Sequence, residues 1–281
     1  MPEGWLWDET LYLGSAPYYV QGRLPYAPDL ADRLADALHL DGQGRLIDVG
    51  CGPGVLTLTL AHLFEEVIGV DPDAGMLIEA QHRGAVAGIT NIQWMRFRAE
   101  ELPAELGTFR VATFGQSFHW MERDLVATTM RSMLEAGGAF VQIADAKDAQ
   151  PITEADLPFA PPPFAAIREL VKHYLGPDQR AGRGTLQFGT PGDEADVLKR
   201  AGFHPPQRLR VPDSRIVERS SDDLVAWVYS LSSSAPHHFE ADLTAFETDL
   251  RQLLDEVSST GRFSERIPDT EVFIWRKPRE S

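Results

Sequence analysis

The 281-residue sequence has only one cysteine, Cys51, so no disulfide can form within the chain and a zinc site built from several thiolates is excluded. It also has no apolar run that approaches the 18 residues of a membrane-spanning helix. The first residues, MPEGWLWDETLYLG, contain neither the basic stretch nor the apolar stretch of a secretory signal. We therefore expect a cytoplasmic protein with no membrane partner.

Basic residues are scarce as well. The sequence has 26 Lys and Arg against 42 Asp and Glu, a formal net charge of −16 at pH 7. This charge repels polyphosphates, and no dense run of Lys and Arg offsets it, so we expect no nucleic-acid partner. The hydrophobic content of 43% and the charged content of 24% are near globular averages, so we expect a packed core. A small molecule is then the expected partner, and nothing in the sequence indicates an oligomeric state.

Strand and helix patterns alternate between residues 29 and 145. Short apolar runs predict strands at residues 45–49, 66–70, 92–97, 109–114 and 139–143. Periodic apolar positions predict four helices. The first begins at residue 29, and the other three span residues 55–64, 74–87 and 124–134. Strands separated by helices of this length are joined by right-handed crossovers, so we expect a mostly parallel sheet with both faces covered.

The alternation stops after Asp145. Residues 164–174, 221–231 and 239–257 have helical patterns, whereas residues 194–201, 207–211 and 271–275 return to the pattern of the sheet. We interpret the irregular stretches as insertions that cap the C-terminal edge of the sheet. The predicted segments are a lid at 1–28, a core at 29–145, a cap insertion at 146–190, core again at 191–212, a helical cap insertion at 213–266, and a final core strand and tail at 267–281.

A glycine-rich turn, Leu-Ile-Asp-Val-Gly-Cys-Gly-Pro-Gly at residues 46–54, joins the first predicted strand to its helix. Glycines there permit positive φ and remove the Cβ atoms that would keep a ligand away from the backbone amides. Asp71 ends the second strand, 21 residues after Gly50, where a carboxylate can accept both ribose hydroxyls of a nucleoside. The pattern therefore indicates a nucleotide-type cofactor.

Two kinds of cofactor fit such a turn. A nicotinamide dinucleotide favours the spacing G-x-G-x-x-G, but Val55 stands where the third glycine would fall, and Pro53 stiffens the turn. S-adenosylmethionine carries no phosphate and tolerates a turn that curls under its methionine moiety. S-adenosylmethionine is the favoured cofactor, and the nicotinamide-dependent oxidoreductase stays as an alternative.

The motif D-V-G-C-G-P-G at residues 48–54, followed by G-V-D-P-D-A-G-M at residues 69–76, resembles the class I S-adenosylmethionine-dependent methyltransferase superfamily. The similarity is to its small-molecule branch of trans-aconitate and ubiquinone-type enzymes and covers roughly residues 18–144, with weaker matches at 194–211 and 271–276. It implies a Rossmann-like α/β fold with a mostly parallel seven-stranded sheet. It also implies that Asp48 positions the methionine amino group, Asp71 the ribose and Met76 the adenine. The turn residues Gly50, Cys51, Gly52 and Gly54, together with Pro72, are implied to contact the cofactor.

Two further segments carry the resemblance. Residues 98–103, R-A-E-E-L-P, resemble the family's A-E-x-L-P segment beside the adenine, although Arg98 stands where the family frequently has Asp. We therefore expect the Ala99 backbone and Glu100 to receive the adenine. Residues 114–120, F-G-Q-S-F-H-W, resemble a Q-x-x-H-W segment. The resemblance implies that Gln116 and Ser117 lie at the methionine end of the cofactor, with His119 and Trp120 near the transferable methyl group.

The N-terminal segment contains Tyr18-Tyr19-x-x-x-Arg23-x-x-Tyr26, which resembles the segment that covers the methionine carboxylate in this group. We expect Tyr19 and Arg23 to contact the cofactor and Tyr18 to contact the substrate. These aromatics would alternatively only anchor the segment to the core. If the segment covers the cofactor, residues 1–28 form a lid whose closure excludes water from the sulfonium.

The need for a catalytic base depends on the acceptor, because only a hydroxyl or an acidic carbon must lose a proton. His119 is the best-placed candidate, since its ordinary pKa is near 6.5, and a wall residue is the alternative. His237 is a second candidate on the substrate side. The adjacent pair His237-His238 lacks a third ligand at suitable spacing, so we expect no metal. The acceptor atom, whether O, N or C, stays open, as does a protein that binds S-adenosylmethionine without methyl transfer, either cyclase-like or regulatory.

Overall fold

The computed structural model describes residues 8–103, 105–146, 157–182, 184–186 and 193–279. The described strands are β1 (Arg45–Val49), β2 (Glu66–Val70), β3 (Ile92–Met95), β4 (Phe109–Gly115), β5 (Leu134–Asp145), β6 (Gln179–Ala181), β7 (Gly184–Leu186), β8 (Gln207–Val211), β9 (Ile216–Ser220), β10 (Arg262–Arg266) and β11 (Thr270–Arg276). The described α-helices are α1 (Ala16–Gly22), α2 (Leu30–Leu38), α3 (Val55–Leu60), α4 (Ala74–Val86), α5 (Arg123–Met133), α6 (Phe164–Leu175), α7 (Glu194–Arg200), α8 (Ser221–Tyr229) and α9 (Leu243–Val257).

Seven of these strands form one sheet in the order β3-β2-β1-β4-β5-β11-β8. The strands pair in parallel except β11, which is antiparallel to both β5 and β8. The predicted α/β fold with a mostly parallel seven-stranded sheet is therefore confirmed. Since β1, β2, β4 and β5 run in the same direction, the residues that follow them meet at one edge of the sheet, which is where α/β folds hold their ligands.

Buried apolar side chains cover both faces of this sheet. On one face, Leu30, Leu34 and Leu38 of α2 recur at the spacing of one helix face and pack against the residues of β1 and β11. On the other face, Phe114 and Phe140 stack with their ring centroids 4.2 Å apart beneath α5. The strands are buried on both sides because they carry continuous apolar runs, as parallel sheets do.

The cap has an apolar core of its own. Helices α6, α8 and α9 enclose Tyr229, Phe239 and Phe246, and the rings of Phe239 and Phe246 stack with centroids 4.0 Å apart. This core is separate from the two that cover the sheet, so the cap is a distinct packing unit. Among the described residues, no helix has both the length and the apolar character needed to cross a membrane.

The observed elements depart from the predicted ones in four places. Residues 194–201, predicted to follow the pattern of the sheet, contain helix α7, whose buried Val197 and Leu198 pack on the core that covers the sheet. Helix α1 lies in a segment that shows no sustained periodicity, because seven residues are too few to reveal one. Strands β9 and β10 pair within 213–266, where only helices were predicted. An ion pair between Glu218 and Arg262 joins the two strands. Because both strands contain several charged residues, the alternation of apolar and polar residues that is typical of a strand is not visible in their sequences. The predicted helix at 239–257 begins only at Leu243, since Glu240 has non-helical angles.

The division into lid, core and cap segments stays a prediction. Residues 1–7 of the predicted lid lie outside the described residues. Residues 147–156, 183 and 187–190 of the cap insertion predicted at 146–190 also lie outside them. The same holds for residue 104 of the predicted core, for residues 191–192 and for the last two residues of the tail.

Candidate active site

The glycine turn between β1 and α3 forms the floor of the site. Gly50, Gly52 and Gly54 all have positive φ, at 70°, 53° and 74°. A Cβ atom on Gly50 would lie 2.5 Å from the Ser117 Cβ, and one on Gly54 would lie 2.6 Å from the Trp94 ring. A Cβ atom on Gly52 would meet nothing within 4 Å. Gly50 and Gly54 are thus required by packing, whereas Gly52 leaves open space beside the backbone, as a ligand requires.

Asp71 follows β2 directly and lies beside this turn. One of its carboxylate oxygens accepts a hydrogen bond from the Gly52 amide at 2.8 Å, and the other accepts one from the Asp73 amide at 2.9 Å. The side chain belongs to a residue that is only 9% exposed, and burial raises its pKa to about 7. Because a carboxylate has about four acceptor positions, two remain for hydroxyl donors from a ligand.

Asp48 lies within β1 and is almost fully buried beneath the turn. Its two oxygens accept hydrogen bonds from the hydroxyls of Thr57 at 2.6 Å and Thr113 at 2.8 Å. Burial raises the pKa of this carboxyl to about 6, against the effect of both hydroxyl donors. The site therefore contains two carboxyls that the protein ionises reluctantly, and a cation close to them would favour their charged forms.

A first cavity opens over the turn. Most of the predicted cofactor residues line it together with N-terminal aromatics. The predicted residues in its wall are Tyr19, Gly50, Gly52, Asp71, Pro72, Met76, Ala99, Glu100, Gln116, Ser117 and Trp120. The structure thus brings together residues from the glycine turn, the β2 and β4 ends, residues 97–100 and the N-terminal segment.

A second cavity adjoins the first, since Tyr19, Gly50, Gly52 and Gln116 line both. Its wall also contains the predicted residues Arg23, Asp48 and Cys51. The Arg23 guanidinium lies 5.1 Å from the centre of the Tyr19 ring and donates a hydrogen bond to the Ser230 carbonyl at 3.0 Å. Its Nε is buried and has no hydrogen-bond partner. A half-buried guanidinium in the wall of a cavity suits an anionic ligand group.

Four predicted residues are not among those that line these two cavities. Gly54 packs on Trp94, and Tyr18 packs against Tyr229 of the cap with ring centroids 5.0 Å apart. The half-buried His119 contacts Trp120 at 4.8 Å between ring centroids. The His237 Nδ1 donates to the Leu13 carbonyl at 3.0 Å, which leaves the lone pair on its buried, unpartnered Nε2. The substrate and catalytic roles assigned to these residues stay predictions.

Tyr12 and Asp145 are two of the lining residues that the sequence analysis missed. Tyr12 lines the first cavity with its ring edge-on to Tyr19, and burial raises its pKa to about 12, so the hydroxyl stays protonated. Asp145 ends β5 in the wall of the second cavity and accepts a hydrogen bond from the Gln116 amide at 3.0 Å. A usable signal existed for Asp145, which is an acid at a strand end like Asp71. For Tyr12 there was only the abundance of aromatics before residue 28.

Comparison with known proteins agrees with this geometry. The family described as a methyltransferase domain matches residues 46–138, which contain the glycine turn, Asp71, Glu100 and Gln116. This match and the relatives described below support the class I S-adenosylmethionine-dependent methyltransferase superfamily. Within the described part of the chain, no group of three or more His, Cys, Asp or Glu side chains is placed to hold a metal ion.

Several curated proteins are similar to this methyltransferase. An uncharacterised methyltransferase of Schizosaccharomyces pombe is 25% identical over 197 residues, covering 66% of this chain and 68% of the relative. An uncharacterised methyltransferase of Mycobacterium bovis is 28% identical over 142 residues, covering 50% and 55%. A ubiquinone biosynthesis O-methyltransferase of Azorhizobium caulinodans is 38% identical over 58 residues, 21% of this chain and 22% of the relative. The chain thus spans from about a fifth to two thirds of the length of these relatives.

Solved structures share the fold over nearly the whole chain. The [4+2]-cyclase SpnF superposes with a TM-score of 0.54 and 17% identity, covering 97% of this chain and 98% of SpnF. A protein whose structure concerns conversion of a disulfide bond into a thioacetal group during echinomycin biosynthesis has a TM-score of 0.52 and 14% identity, covering 97% and 92%. At these identities the likeness describes the fold and not the reaction.

The raised pKa of Asp71 predicts that cofactor affinity depends on pH. Hydroxyl donors of a ligand stabilise the ionised carboxylate, so binding releases a proton when the free carboxyl is protonated. The affinity for S-adenosylhomocysteine should therefore increase as the pH rises through about 7 and level off above it. Titration calorimetry between about pH 6 and about pH 8 measures this, and Asp71→Ala should flatten the dependence. An affinity that decreases over this range would contradict the assignment.

Proposed function

We propose that this methyltransferase moves the methyl group of S-adenosylmethionine to a small organic acceptor held under the cap. The observation that supports this most is the joint lining of one cavity by the glycine turn, Asp71 and the N-terminal segment that carries Tyr12 and Tyr19. Three features fit the cofactor: the open space at Gly52, the unused acceptor positions of Asp71, and the positive charge of Arg23 in the wall of the second cavity.

The adenosine half of the cofactor is assigned to the first cavity. Asp71 would accept the ribose hydroxyls while the Gly52 and Asp73 amides hold its carboxylate in place. Met76 and Ala99, which are both buried, would border the adenine. Glu100 accepts a hydrogen bond from the Glu122 amide at 2.9 Å, which fixes its carboxylate at the same edge. The adenine would thus be held by packing and by one oriented acceptor.

The methionine half is assigned to the second cavity. Arg23 would bind the carboxylate, since its guanidinium is held against Tyr19 and lines the second cavity. Asp48, with two oxygens oriented by Thr57 and Thr113, would attract the amino group directly or through water. Gln116 has positive φ, an uncommon conformation for a residue with a side chain, and its amide is oriented by Asp145. Opposite charges in the cavity thus match the two charges of an amino acid.

Alignment and the exclusion of water are the contributions that this chain makes to methyl transfer. When bound, S-adenosylmethionine supplies an electrophilic methyl carbon, so the protein has to orient the acceptor and keep water away. Leu11 and Ala181 are buried against Tyr12 and Trp120, which forms an apolar wall between the N-terminal segment and the cap. Because Leu11, Tyr12 and Trp120 of this wall also line the first cavity, the wall would suit a small acceptor rather than a macromolecule.

The reaction class is tested by product analysis. The protein is incubated with S-adenosylmethionine labelled in its methyl group and with pools of small organic acids, phenols and amines. Label recovered in an acceptor together with S-adenosylhomocysteine supports the proposal and identifies the acceptor atom. A cyclase-like activity would instead be indicated if the protein binds the cofactor tightly and converts an acceptor without transferring the label to it. The absence of cofactor binding would overturn the proposal.

Asp71→Ala should weaken binding of S-adenosylmethionine strongly and leave the fold intact. A charged acceptor of two hydroxyl hydrogen bonds contributes on the order of 2–4 kcal/mol, because bonds to charged groups are the stronger ones. Calorimetric titration measures the affinity, and Asp36→Ala, on the exposed face of α2, is the matched control. An unchanged dissociation constant for Asp71→Ala would show that the carboxylate does not hold the cofactor.

His119→Ala should lower turnover by roughly 10²–10⁴ if the acceptor is a hydroxyl or an acidic carbon, the usual contribution of a positioned base. Cofactor affinity should change little, because His119 is outside the described lining of both cavities. For an amine or an ionised carboxylate no base is required, and the loss should be small. Initial rates with the identified acceptor measure the effect. Unchanged turnover on a hydroxyl substrate, combined with a lower melting temperature, would make His119 a wall residue.

A further inference from the structure

Helix α1 is attached to the cap rather than to the sheet. Its last residue, Gly22, lies so close to α8 that an added Cβ atom would be 2.4 Å from the Ala226 carbonyl oxygen. On the same helix, Tyr18 packs against the buried Tyr229 of α8. The two helices therefore contact each other through backbone and aromatic rings, and α1 is one layer of the cap.

Arg219 is a buried cation at the point where α1 meets the cap. It lies at the end of β9, immediately before α8, and is only 5% exposed. Its guanidinium donates hydrogen bonds to the carbonyls of Gly22 and Asp223, both at 2.9 Å, and forms an ion pair with Glu265 at 2.9 Å. The planar guanidinium thus fixes the end of α1 relative to the start of α8 and to β10.

Helix α1 carries the residues that are assigned to the methionine half of the cofactor. Tyr19 lines both cavities, and Arg23 follows Gly22 directly. Arg23 is held in turn by the carbonyl of Ser230, which is the C-cap residue of α8. The Arg23 side chain is therefore fixed from α8, and its backbone is fixed by the hydrogen bond between Arg219 and Gly22. A rotation of α1 on the cap would move both Tyr19 and Arg23.

We propose that Arg219, paired with Glu265, is a positioning residue that sets α1 so that Tyr19 and Arg23 hold the amino-acid end of S-adenosylmethionine. The proposal rests on the proposed function for the identity of the cofactor. It adds that a buried ion pair in the cap, outside the lining of both described cavities, controls affinity for one half of the cofactor. A pair of apolar side chains would stabilise the cap at a lower desolvation cost, but would not fix the rotation of α1.

The arrangement makes the two halves of the cofactor separable by experiment. S-adenosylhomocysteine has both the adenosine and the amino-acid tail, whereas 5′-methylthioadenosine lacks the tail and would contact only the groups of the first cavity. Arg219→Met should weaken binding of S-adenosylhomocysteine by about tenfold or more, because small misplacements of charged contacts are costly. The affinity for 5′-methylthioadenosine should fall clearly less, since Tyr19 is the one assigned contact of this ligand on α1, whereas Asp71, Met76 and Ala99 belong to the sheet domain.

Two further variants keep the test valid if Arg219→Met unfolds the cap by leaving Glu265 buried without its partner. The double variant Arg219→Met/Glu265→Gln removes both charges together. Gly22→Ala moves α1 away from Ala226 by steric contact alone and changes no charge. Arg251→Met is the matched control, because Arg251 pairs with Asp222 and Glu247 on the cap and makes no described contact with α1.

Calorimetry with the two ligands, on variants whose melting is checked first, decides between the outcomes. Selective loss of S-adenosylhomocysteine affinity in the double variant and in Gly22→Ala, with Arg251→Met unchanged, supports the positioning role. Equal losses for both ligands would make Arg219 merely structural and overturn the inference, as would unchanged affinities for both. If the unaltered protein binds neither ligand, the proposed function itself fails, and that outcome differs from all the others.

Discussion

Gly50, Gly52 and Gly54 hold the chain after β1 at positive φ, a conformation that residues with a side chain rarely adopt, and the rest of the site depends on that turn. Because Gly50 has no Cβ, Ser117 comes close enough to donate its hydroxyl to the Val49 carbonyl at 2.6 Å, which fixes the segment after β4. The Gly52 amide in turn orients the Asp71 carboxylate. One backbone conformation therefore places groups from three strands, and a side chain at any of the three glycines would disturb them together.

The same turn encloses two carboxyls whose ionisation costs the protein free energy. Burial raises the pKa of Asp48 to about 6 and that of Asp71 to about 7, so neither is a source of stability at neutral pH. For such groups, a raised pKa in the folded state means that folding is most favourable at low pH and weakens as the pH rises through these values. The free energy is recovered when a ligand supplies donors or positive charge, as a sulfonium cofactor does. The two carboxyls thus lower the stability of the protein without ligand and increase its affinity for the ligand.

Sequence patterns predict the parts of this site that lie on short, continuous segments. Asp71 and Gly52 belong to motifs next to strands, where the direction of the chain alone fixes which edge of the sheet they reach. Tyr12 and Arg219 belong to no such motif. Arg219 meets Gly22 across 197 positions of sequence, and its role arises from a helix too short to show periodicity and from two charged strands that hide their alternation. The sequence does not predict how the N-terminal segment and the cap are placed around the site, because that placement depends on contacts between distant segments.

The attachment of α1 to the cap has a consequence for how ligands enter. The apolar wall of Leu11, Tyr12, Trp120 and Ala181 joins the N-terminal segment to the cap, and Tyr19 and Arg23 lie on the helix that follows in that segment. The N-terminal segment thus carries groups on the acceptor side and groups on the cofactor side, and it contacts both the cap and, through Trp120, the segment that follows β4. If the N-terminal segment moves as a body, the cofactor and the acceptor are released by the same opening. Filling the cofactor cavities would then favour the closed arrangement that the acceptor requires, which couples the two binding steps through the cap.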